Sequence, residues 1–409
     1  MLASYLLDQL ITWGSLTVVD AGGRRHVFRG DPGPSITVRL ADRRLHHRLL
    51  LRPKLALGEG YMEGTLTVED GSLYGLLDLL AVNLMAAEHH PVQRLTNRLQ
   101  RLSRIIHTYN PAPRARRNVA HHYDLNGALY DLFLDRDRQY SCAYFRGGGE
   151  TIDRAQDDKK LHLAAKLLLK PGQRLLDIGS GWGGLALYLA RLAGIDATGV
   201  TLSTEQHQVS NERAKSMGLA DRVRFHLNDY RAETGRYDRL VSVGMFEHVG
   251  APHYGTFFGK VRDLLAEDGV ALLHSIGRME PPGGANPWVR KYIFPGGYTP
   301  ALSEVLSAIE RAGLWVTDIE ILRMHYAETL NRWRQRFEIN REAVRKLYDE
   351  RFCRMWEFYL AGSEVSFRRL NHTVFQIQLA KAQEAVPLTR DYMFEFEQAQ
   401  LRHPAVAAQ

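Results

Sequence analysis

A glycine-rich segment is the first part of the sequence whose residue types point to chemistry. Residues 177–184 read DIGSGWGG, begin within the apolar run at 174–178 and precede a helical pattern at 185–192. Glycines let a backbone approach a ligand closely, and a helix N-terminus offers free N–H groups to that ligand. The segment satisfies the G-x-G-x-x-G pattern, which leaves open whether the turn binds a nicotinamide cofactor, a different ligand or nothing.

Acidic residues near this turn favour S-adenosylmethionine over a nicotinamide cofactor. Asp177 stands two residues before the first glycine, where the strand of a dinucleotide site is usually apolar. A dinucleotide site also expects an acid about 20 residues further on, and the segment GVTLS at 199–203 has none. Asp177 suits the ammonium group of S-adenosylmethionine. Asp229 can accept from an adenine amino group, and Tyr230 can stack on the ring.

Alternating strands and helices must position these residues. Apolar runs at 174–178, 197–202, 223–227, 239–243 and 270–274 are separated by segments with helical periodicity. This alternation predicts an α/β fold with a doubly wound, Rossmann-like parallel sheet, in which ligands bind beyond the carboxyl ends of the strands. Residues 1–92 contain β-leaning runs punctuated by Gly and Pro, so they predict a smaller N-terminal α/β domain.

Composition excludes several classes of protein. Of the 409 residues, 45% are apolar and 24% are charged, which excludes wholesale disorder. No run approaches 18 apolar residues, and the first 20 residues carry no Lys or Arg, so neither a membrane span nor a secretory signal is expected. Two cysteines, Cys142 and Cys353, indicate a protein of a reducing compartment. Paired histidines lack a second ligand set with suitable spacing, so no metal is expected.

Positive charge is concentrated at the N-terminal end of the sequence. The net charge is +7, and nearly all of the excess lies within residues 1–120. Residues 94–117 hold seven arginines and no acid, so 93–120 is predicted to be a basic helical connector. Such a segment meets either nucleic acid or an anionic membrane surface, and composition alone does not choose between them.

Several segments resemble one family of class I S-adenosylmethionine methyltransferases, the cyclopropane-fatty-acyl-phospholipid synthases, which are related to the mycolic acid cyclopropane synthases. They are HYDL at 122–125, QYSCAYF at 139–145, LLDIGSGWGG at 175–184, GVTLSTEQ at 199–206, VGMFEHVG at 243–250, LHSIG at 273–277, KYIFPG at 291–296 and YAETL at 326–330. The resemblance covers about residues 110–380 in the expected order. The N-terminal domain resembles the extra domain of the bacterial phospholipid enzymes, which the mycolic enzymes lack.

The resemblance implies methylene transfer from S-adenosylmethionine to the cis double bond of an unsaturated phospholipid acyl chain. A carbocation on the chain would lose a proton to a bound bicarbonate, and a cyclopropane ring would close. The implied catalytic positions are Cys142, Glu247, His274, Tyr326 and the main chain of Ile276, with His122 and Tyr130 from the mycolic branch. The implied cofactor-binding positions are Tyr140, Ser141, Asp177, Gly179, Gly181, Gly183, Thr201, Ser203, Gln206, Asp229 and Tyr230.

Roles and partners follow from the same resemblance. His274 and Tyr326 can donate to carbonate oxygens, Glu247 should accept the bicarbonate hydroxyl proton, and Cys142 should line the site as a neutral group. Residues 121–409 would form the catalytic domain, with an acyl-chain-binding helical insertion at about 326–370. Its aromatic residues are either core or a wall for the chain. The connector would meet an anionic membrane or remain a solvated helix face, and nucleic acid is disfavoured.

Three other functions remain open at this point. A related lipid C-methyltransferase would leave a methyl or methylene branch, or quench the cation with water, instead of closing the ring. A lipid-binding relative would have lost catalysis, and a small-molecule methyltransferase would leave the N-terminal domain without an evident purpose. For the leading hypothesis we expect a cytoplasmic protein peripherally associated with the inner face of the membrane, and a homodimer.

Overall fold

The computed structural model describes residues 4–86 and 127–402. The strands are β1 Trp13–Val19, β2 Arg25–Arg29, β3 Asp31–Leu40, β4 Leu66–Asp70, β5 Arg174–Ile178, β6 Asp196–Thr201, β7 Val223–Leu227, β8 Tyr237–Val243, β9 Leu265–Arg278, β10 Trp315–Ile321 and β11 His372–Ala380. His122 and the connector 93–120 lie outside the described residues, so the predictions made for them stay predictions.

The helices cover most of the remaining described chain. They are α1 Ser4–Leu10, α2 Arg43–Leu51, α3 Pro53–Met62, α4 Leu73–Ala86, α5 Gly127–Phe133, α6 Ile152–Leu167, α7 Gly184–Ala193, α8 Thr204–Ser216, α9 Tyr254–Leu264, α10 Pro287–Tyr292, α11 Leu302–Arg311, α12 His325–Ile339, α13 Arg341–Leu347, α14 Glu350–Arg369 and α15 Asp391–Arg402. Within 4–86 and 127–402, every helix is too short or too polar to cross a lipid bilayer.

The described chain divides into two compact units. The first unit holds residues 4–86, 283–295 and 330–372, and the second holds 127–282, 296–329 and 373–402. The segment at about 326–370, predicted as an acyl-binding insertion, therefore falls largely in the unit that contains the N-terminal elements. Its proposed role toward an acyl chain stays a prediction.

The first unit is built on a four-stranded sheet in the order β2-β1-β3-β4. Strands β1 and β3 are parallel, whereas β2 and β4 each pair antiparallel with their neighbour. Helix α14 packs beside α3 and α4, where Tyr61 Oη donates to Glu357 Oε2 over 2.9 Å and Arg369 Nε donates to Asp78 Oδ1 over 2.7 Å. Contacts between residues so far apart in sequence bind the N-terminal elements to the segment at 330–372.

The second unit contains a seven-stranded sheet in the order β10-β11-β9-β8-β5-β6-β7. Strands β5 to β9 pair in parallel, and β10 pairs antiparallel with β11. The central strand β5 is buried from its second residue onward, as expected of a parallel strand covered on both faces. This arrangement confirms the predicted doubly wound sheet. The chain reverses its direction of progress between β5 and β8, which is the switch point where a ligand is expected.

Candidate active site

The turn between β5 and α7 depends on glycine at two positions. Gly179 has a φ of +83° and Gly183 a φ of +82°, in the left-handed region that glycine favours. A Cβ on Gly179 would lie 2.6 Å from the Cβ of Met245, and one on Gly183 would lie 2.7 Å from the ring of Phe225. A Cβ on Gly181 would meet no atom within 4 Å. The outer glycines thus permit close packing, while space remains open beside the middle one.

A cavity opens beyond the carboxyl ends of β5, β6, β7 and β8. Its lining includes nine of the predicted cofactor positions, namely Tyr140, Ser141, Asp177, Gly179, Gly181, Thr201, Gln206, Asp229 and Tyr230. Gly183 and Ser203 are absent from that lining. Gly183 serves the packing described above, and Ser203 caps α8 by accepting from the backbone N–H of Gln206 over 3.3 Å.

Lining residues that the sequence reasoning missed are neighbours of the motif residues. They are Arg138, Gln139, Ser180, Trp182, Leu202, Asn228, Arg231, Met245 and His248, together with apolar side chains of the strand ends. Adjacency to a motif was the signal that could have found them. Arg231 bears on the role predicted for Asp229 toward adenine. Its guanidinium donates to both carboxylate oxygens of Asp229 over 2.8 and 2.7 Å.

Asp177 is a buried carboxyl group at the floor of the cavity. Its side chain is 2% exposed, and burial raises its pKa to about 7, although the charge of Lys159 opposes that shift. A cationic ligand would stabilise the ionised form of this carboxyl group, because a neighbouring positive charge favours ionisation of an acid. Asp177 therefore suits the ammonium group of S-adenosylmethionine, which the sequence analysis predicts it to bind.

A buried lysine supports one wall of the cavity. Lys159 Nζ donates to Ser141 Oγ over 2.8 Å and to Gln139 Oε1 over 2.6 Å. Burial lowers the pKa of Lys159 to about 8. Because Ser141 Oγ accepts from the lysine, its own hydroxyl hydrogen is available to a ligand in the cavity. Lys159 lies outside every sequence motif described above, so the sequence did not predict this role.

The residues predicted to act in catalysis come from several elements of the second unit, among them α5, β9 and the start of α12. Tyr130, Cys142, Glu247, His274, Ile276 and Tyr326 are the six that lie among the described residues, and none of these six belongs to the cavity lining. Two of the six have a sequence neighbour in the lining, because Ser141 precedes Cys142 and His248 follows Glu247. Cys142 and Glu247 thus adjoin the cavity lining along the chain.

Glu247 is held by a hydrogen bond from the backbone of β9, two residues after His274. The backbone N–H of Ile276 donates to Glu247 Oε1 over 2.6 Å. Glu247 Oε2 is buried and has no hydrogen-bond partner among the described residues. Burial raises the pKa of Glu247 to about 7, and the Ile276 hydrogen bond opposes the shift. One oxygen of this carboxyl group is therefore in place for a ligand that carries a proton.

His274 is a neutral imidazole with a defined tautomer. Gln376 Oε1 accepts from Lys166 Nζ over 2.6 Å, which fixes the orientation of the amide. Gln376 Nε2 must then donate to His274 Nδ1, 3.1 Å away. Burial, together with the charges of Lys159 and Lys166, holds the pKa of His274 well below its usual range. The proton of the neutral ring consequently resides on Nε2, where it can be donated.

Cys142 is a buried, neutral thiol beside the first turn of α12. Its Sγ lies 3.3 Å from the carbonyl oxygen of Ala143, and burial raises its pKa. The next residue along, Ala143, donates its N–H to Thr329 Oγ1 over 3.0 Å, and Phe145 N–H donates to His325 Nδ1 over 3.0 Å. These bonds dock the segment that carries Cys142 on the helix that carries Tyr326.

Tyr130 lies on the short helix α5 with 0% of its side chain exposed. Its ring meets Tyr140 edge-on at 5.6 Å between centroids and Trp182 at 5.9 Å. Tyr140 and Trp182 both line the cavity, so Tyr130 supports that wall from behind. Across residues 4–86 and 127–402, no group of three or more His, Cys, Asp or Glu side chains is arranged to hold a metal ion.

Comparison with known proteins places the chain in a family. Residues 111–377 match the family model described as mycolic acid cyclopropane synthetase. The chain belongs to this family. A probable fatty acid methyltransferase of Pseudomonas putida is 37% identical over 379 residues, 89% of this chain and 92% of the relative. The cyclopropane-fatty-acyl-phospholipid synthase of Escherichia coli K12 is 34% identical over 349 residues, 85% of this chain and 88% of the relative.

A solved member of the family has the same fold. The crystal structure of mycolic acid cyclopropane synthase CmaA1 complexed with SAH and CTAB matches with a TM-score of 0.61 and 32% identity, covering 66% of this chain and 99% of that one. The resemblance and the class I methyltransferase fold expected from the sequence are both confirmed. The protein is an S-adenosylmethionine-dependent methyltransferase of the cyclopropane synthase family, with S-adenosylmethionine as the methyl donor.

Proposed function

We propose that this cyclopropane synthase family member transfers a methylene group to the cis double bond of an unsaturated phospholipid acyl chain. The alkene would bond the methyl carbon as the bond from that carbon to the sulfonium sulfur breaks and S-adenosylhomocysteine leaves. A cation would form on the chain, and loss of a proton from the added methyl to a bound base would close a cyclopropane ring. The observation that carries the proposal is the carboxyl group of Glu247, whose Oε1 accepts from the N–H of Ile276, two residues after His274, and whose buried Oε2 has no hydrogen-bond partner among the described residues.

Glu247 and His274 fit a bound bicarbonate ion. An oxygen acceptor that burial has left without a partner costs free energy unless a ligand satisfies it. The hydroxyl of bicarbonate is a donor for Glu247 Oε2, and its oxygens are acceptors for a neutral imidazole N–H. Tyr326 can supply a further donor. Cys142 keeps its proton because burial raises its pKa, so it adds no negative charge beside the anion.

Bound S-adenosylmethionine would supply an electrophilic methyl group, and bound bicarbonate would supply a base close to it. Asp177 would hold the ammonium end of the cofactor, with Ser141 donating nearby through the hydroxyl that Lys159 orients. Glu247 and His274 would orient the base. Near neutral pH the neutral ring of His274 can donate from Nε2, and Glu247, with a pKa of about 7, is ionised in about half of the molecules and can then accept. The chain's residues therefore bind and orient, and they leave the proton transfer to a small ion.

A second candidate product is supported by one of the relatives. The Pseudomonas putida protein is named a probable fatty acid methyltransferase, and it is 37% identical to this chain. A methyl- or methylene-branched chain would arise from the same cation if a different proton were lost. The buried Glu247 Oε2, which has no hydrogen-bond partner among the described residues, argues against an inactive lipid-binding relative, since such an atom destabilises the fold unless a ligand satisfies it. A homodimer at the inner face of the membrane remains part of the proposal.

Acyl-chain mass spectrometry tests the proposal. The protein is incubated with S-adenosylmethionine and vesicles of a cis-unsaturated phospholipid, with vesicles of the saturated phospholipid as the matched control. We expect the unsaturated chains alone to gain the mass of one CH₂ group. Buffers freed of carbon dioxide should slow the gain, and added bicarbonate should restore it. Unsaturated chains of unchanged mass would contradict methylene transfer, and a rate indifferent to bicarbonate would contradict the assigned base.

A further inference from the structure

We propose that the corner between α2 and α3, residues 50–54, docks the first unit on an anionic phospholipid bilayer. We refer to these residues as the leucine corner. The proposal rests on the proposed function in one respect, which is that the substrate is a membrane lipid. It adds a cationic surface within the described residues to the membrane contact proposed for residues 93–120, which lie outside them.

Two neighbouring leucines at the leucine corner face solvent. Leu51 is 79% exposed and Leu50 is 36% exposed, although both belong to the last turn of an amphipathic helix. The opposite face of α2 is fully used, because Leu45 is buried in the core of the first unit and Leu49 packs against that core. Single exposed apolar residues are ordinary on protein surfaces. These two leucines are adjacent, and together they form a small apolar patch where one helix ends and the next begins.

Cationic side chains surround these leucines. Between Asp42 and Glu59 the sequence contains Arg43, Arg44, Arg48, Arg52 and Lys54, with no acid among them. All five of these cationic residues are exposed. The two flanking acids contribute little opposing charge at the corner, since each is engaged elsewhere.

The flanking acids serve the fold. Asp42 is the N-cap of α2, at the far end of the helix, and accepts from the backbone N–H of Arg44. Glu59 is buried, pairs with Arg48, and also accepts from Lys291 Nζ over 2.7 Å and Tyr292 Oη over 2.8 Å. Glu59 therefore offsets the charge of Arg48, and the five cations between the two acids still outnumber them.

Exposed leucines ringed by cations match an anionic bilayer better than other partners. The leucines can enter the boundary between headgroups and acyl chains, while Arg and Lys side chains reach phosphate groups on their long apolar stems. A second copy of the chain would bring two positive corners together at a cost in repulsion. A nucleic acid would satisfy the cations but would leave the leucines in water. The combination selects a lipid surface that carries negative charge.

Vesicle sedimentation tests the leucine corner with three variants. The probes are vesicles of phosphatidylglycerol and of phosphatidylcholine. R52Q/K54Q should weaken partitioning onto phosphatidylglycerol by about 25-fold, because each surface cation contributes about 5-fold. Leu51→Glu should weaken it by about 10-fold or more, since the leucine no longer buries its side chain in the interface. Leu388→Glu is the matched control, because Leu388 is a fully exposed leucine in the second unit and should leave partitioning unchanged.

Two further measurements separate this proposal from the proposed function. Turnover of phospholipid dispersed in detergent and binding of S-adenosylhomocysteine should be the same in the variants and the wild type. Loss of turnover in detergent for the wild type would count against the proposed function alone. The leucine corner is overturned if the wild type ignores phosphatidylglycerol vesicles or if the corner variants bind them as the wild type does. It is also overturned if Leu51→Glu changes only the oligomeric state in light scattering.

Discussion

At the scale of single residues, Glu247 combines a stability cost with the chemical role proposed for it. Its carboxyl group is buried, one oxygen accepts from the Ile276 N–H, and the other has no partner among the described residues. Burial raises the pKa from 4.5 to about 7. Since the folded state holds this proton more tightly than the unfolded chain, stability due to Glu247 falls as pH rises from about 4.5 to about 7.

Glu247→Gln should remove that pH dependence together with the activity. The shift corresponds to about 3 kcal/mol of free energy of unfolding lost by the wild type between pH 4.5 and pH 8. The variant should lose less over the same range by up to that amount, as measured by urea unfolding at a series of pH values. Comparing slopes cancels the constant cost of burying a glutamine amide. Parallel curves for the two proteins would show that Glu247 is not buried as described.

Asp177 gives a second pH prediction at the cofactor end of the site. Because burial raises its pKa to about 7, most molecules of the free protein carry a neutral Asp177 at pH 6. A ligand ammonium requires the ionised form, so affinity for S-adenosylhomocysteine should be about 10-fold lower at pH 6 than at pH 8. Calorimetry should also show proton release at pH 6.

Two variants control the Asp177 measurement. Asp177→Asn should bind S-adenosylhomocysteine weakly and with no dependence on pH. Glu247→Gln should retain the wild-type dependence, because Glu247 is not part of the cavity lining. A pH dependence that survives in Asp177→Asn would assign the titrating group to another residue.

Gln376 is predicted to position His274. Gln376→Leu removes the donor that holds the imidazole tautomer, so turnover should fall by at least about 10-fold. Gln378→Leu is the matched control on the same strand, since Gln378 bonds Thr317, Tyr392 and the Lys166 carbonyl. Nitrogen-15 NMR of the His274 ring should report a changed tautomer mixture in Gln376→Leu alone. Equal losses of activity and an unchanged His274 spectrum in both variants would reduce Gln376 to a packing residue.

At the scale of elements, the turn between β5 and α7 makes unequal demands on its glycines. Gly179→Ala places a Cβ 2.6 Å from the Cβ of Met245 at a φ of +83°, so either the turn or the segment that carries Met245 after β8 must shift. We expect a loss of about 1–3 kcal/mol in free energy of unfolding. Gly181→Ala, at a φ of +54° with open space around it, should cost about 1 kcal/mol. Thermal unfolding that ranks the two variants in the reverse order would contradict the packing of this turn.

The sequence predicted those elements whose patterns are local. Strands β5, β6, β7, β8 and β9 were predicted because buried parallel strands appear as short apolar runs between helices. Strands β10 and β11 went unpredicted. The residues of β10 are mostly half-buried, and buried Gln376 and Gln378 interrupt the apolar pattern of β11. Membership of 330–372 in the first unit also had no local signal, because it depends on contacts such as Tyr61 with Glu357.

The candidate site divides in the same way. Residues carried by a motif, such as Asp177 and Gly179, were named from the sequence and line the cavity. Lys159 and Gln376 were missed, since each contacts a motif residue, Ser141 or His274, from another element of the fold. Lys166 was missed because it contacts Gln376 and no motif residue. Gly183 and Ser203 show the converse, because their motif positions serve packing and helix capping and not the lining.

At the scale of the whole molecule, the excess positive charge and the candidate active site lie in different parts of the chain. The net charge is +7, and its excess lies in the first 120 residues, which include the cations of α2 and α3. The cavity and the groups behind it belong to the second unit, where buried titratable groups and not net charge define the site. This allocation fits an enzyme that finds an anionic surface with one part and reacts with its lipid in another.

The fate of the transferred carbon tests the central claim most directly. Vesicles of a cis-unsaturated phospholipid are incubated with the protein and S-adenosylmethionine labelled with carbon-13 in its methyl group, and the extracted lipid is examined by NMR. We predict that the label appears as the CH₂ of a cyclopropane ring. A label found in a methyl branch or an exocyclic methylene group, or absent from the lipid, would contradict the proposed function.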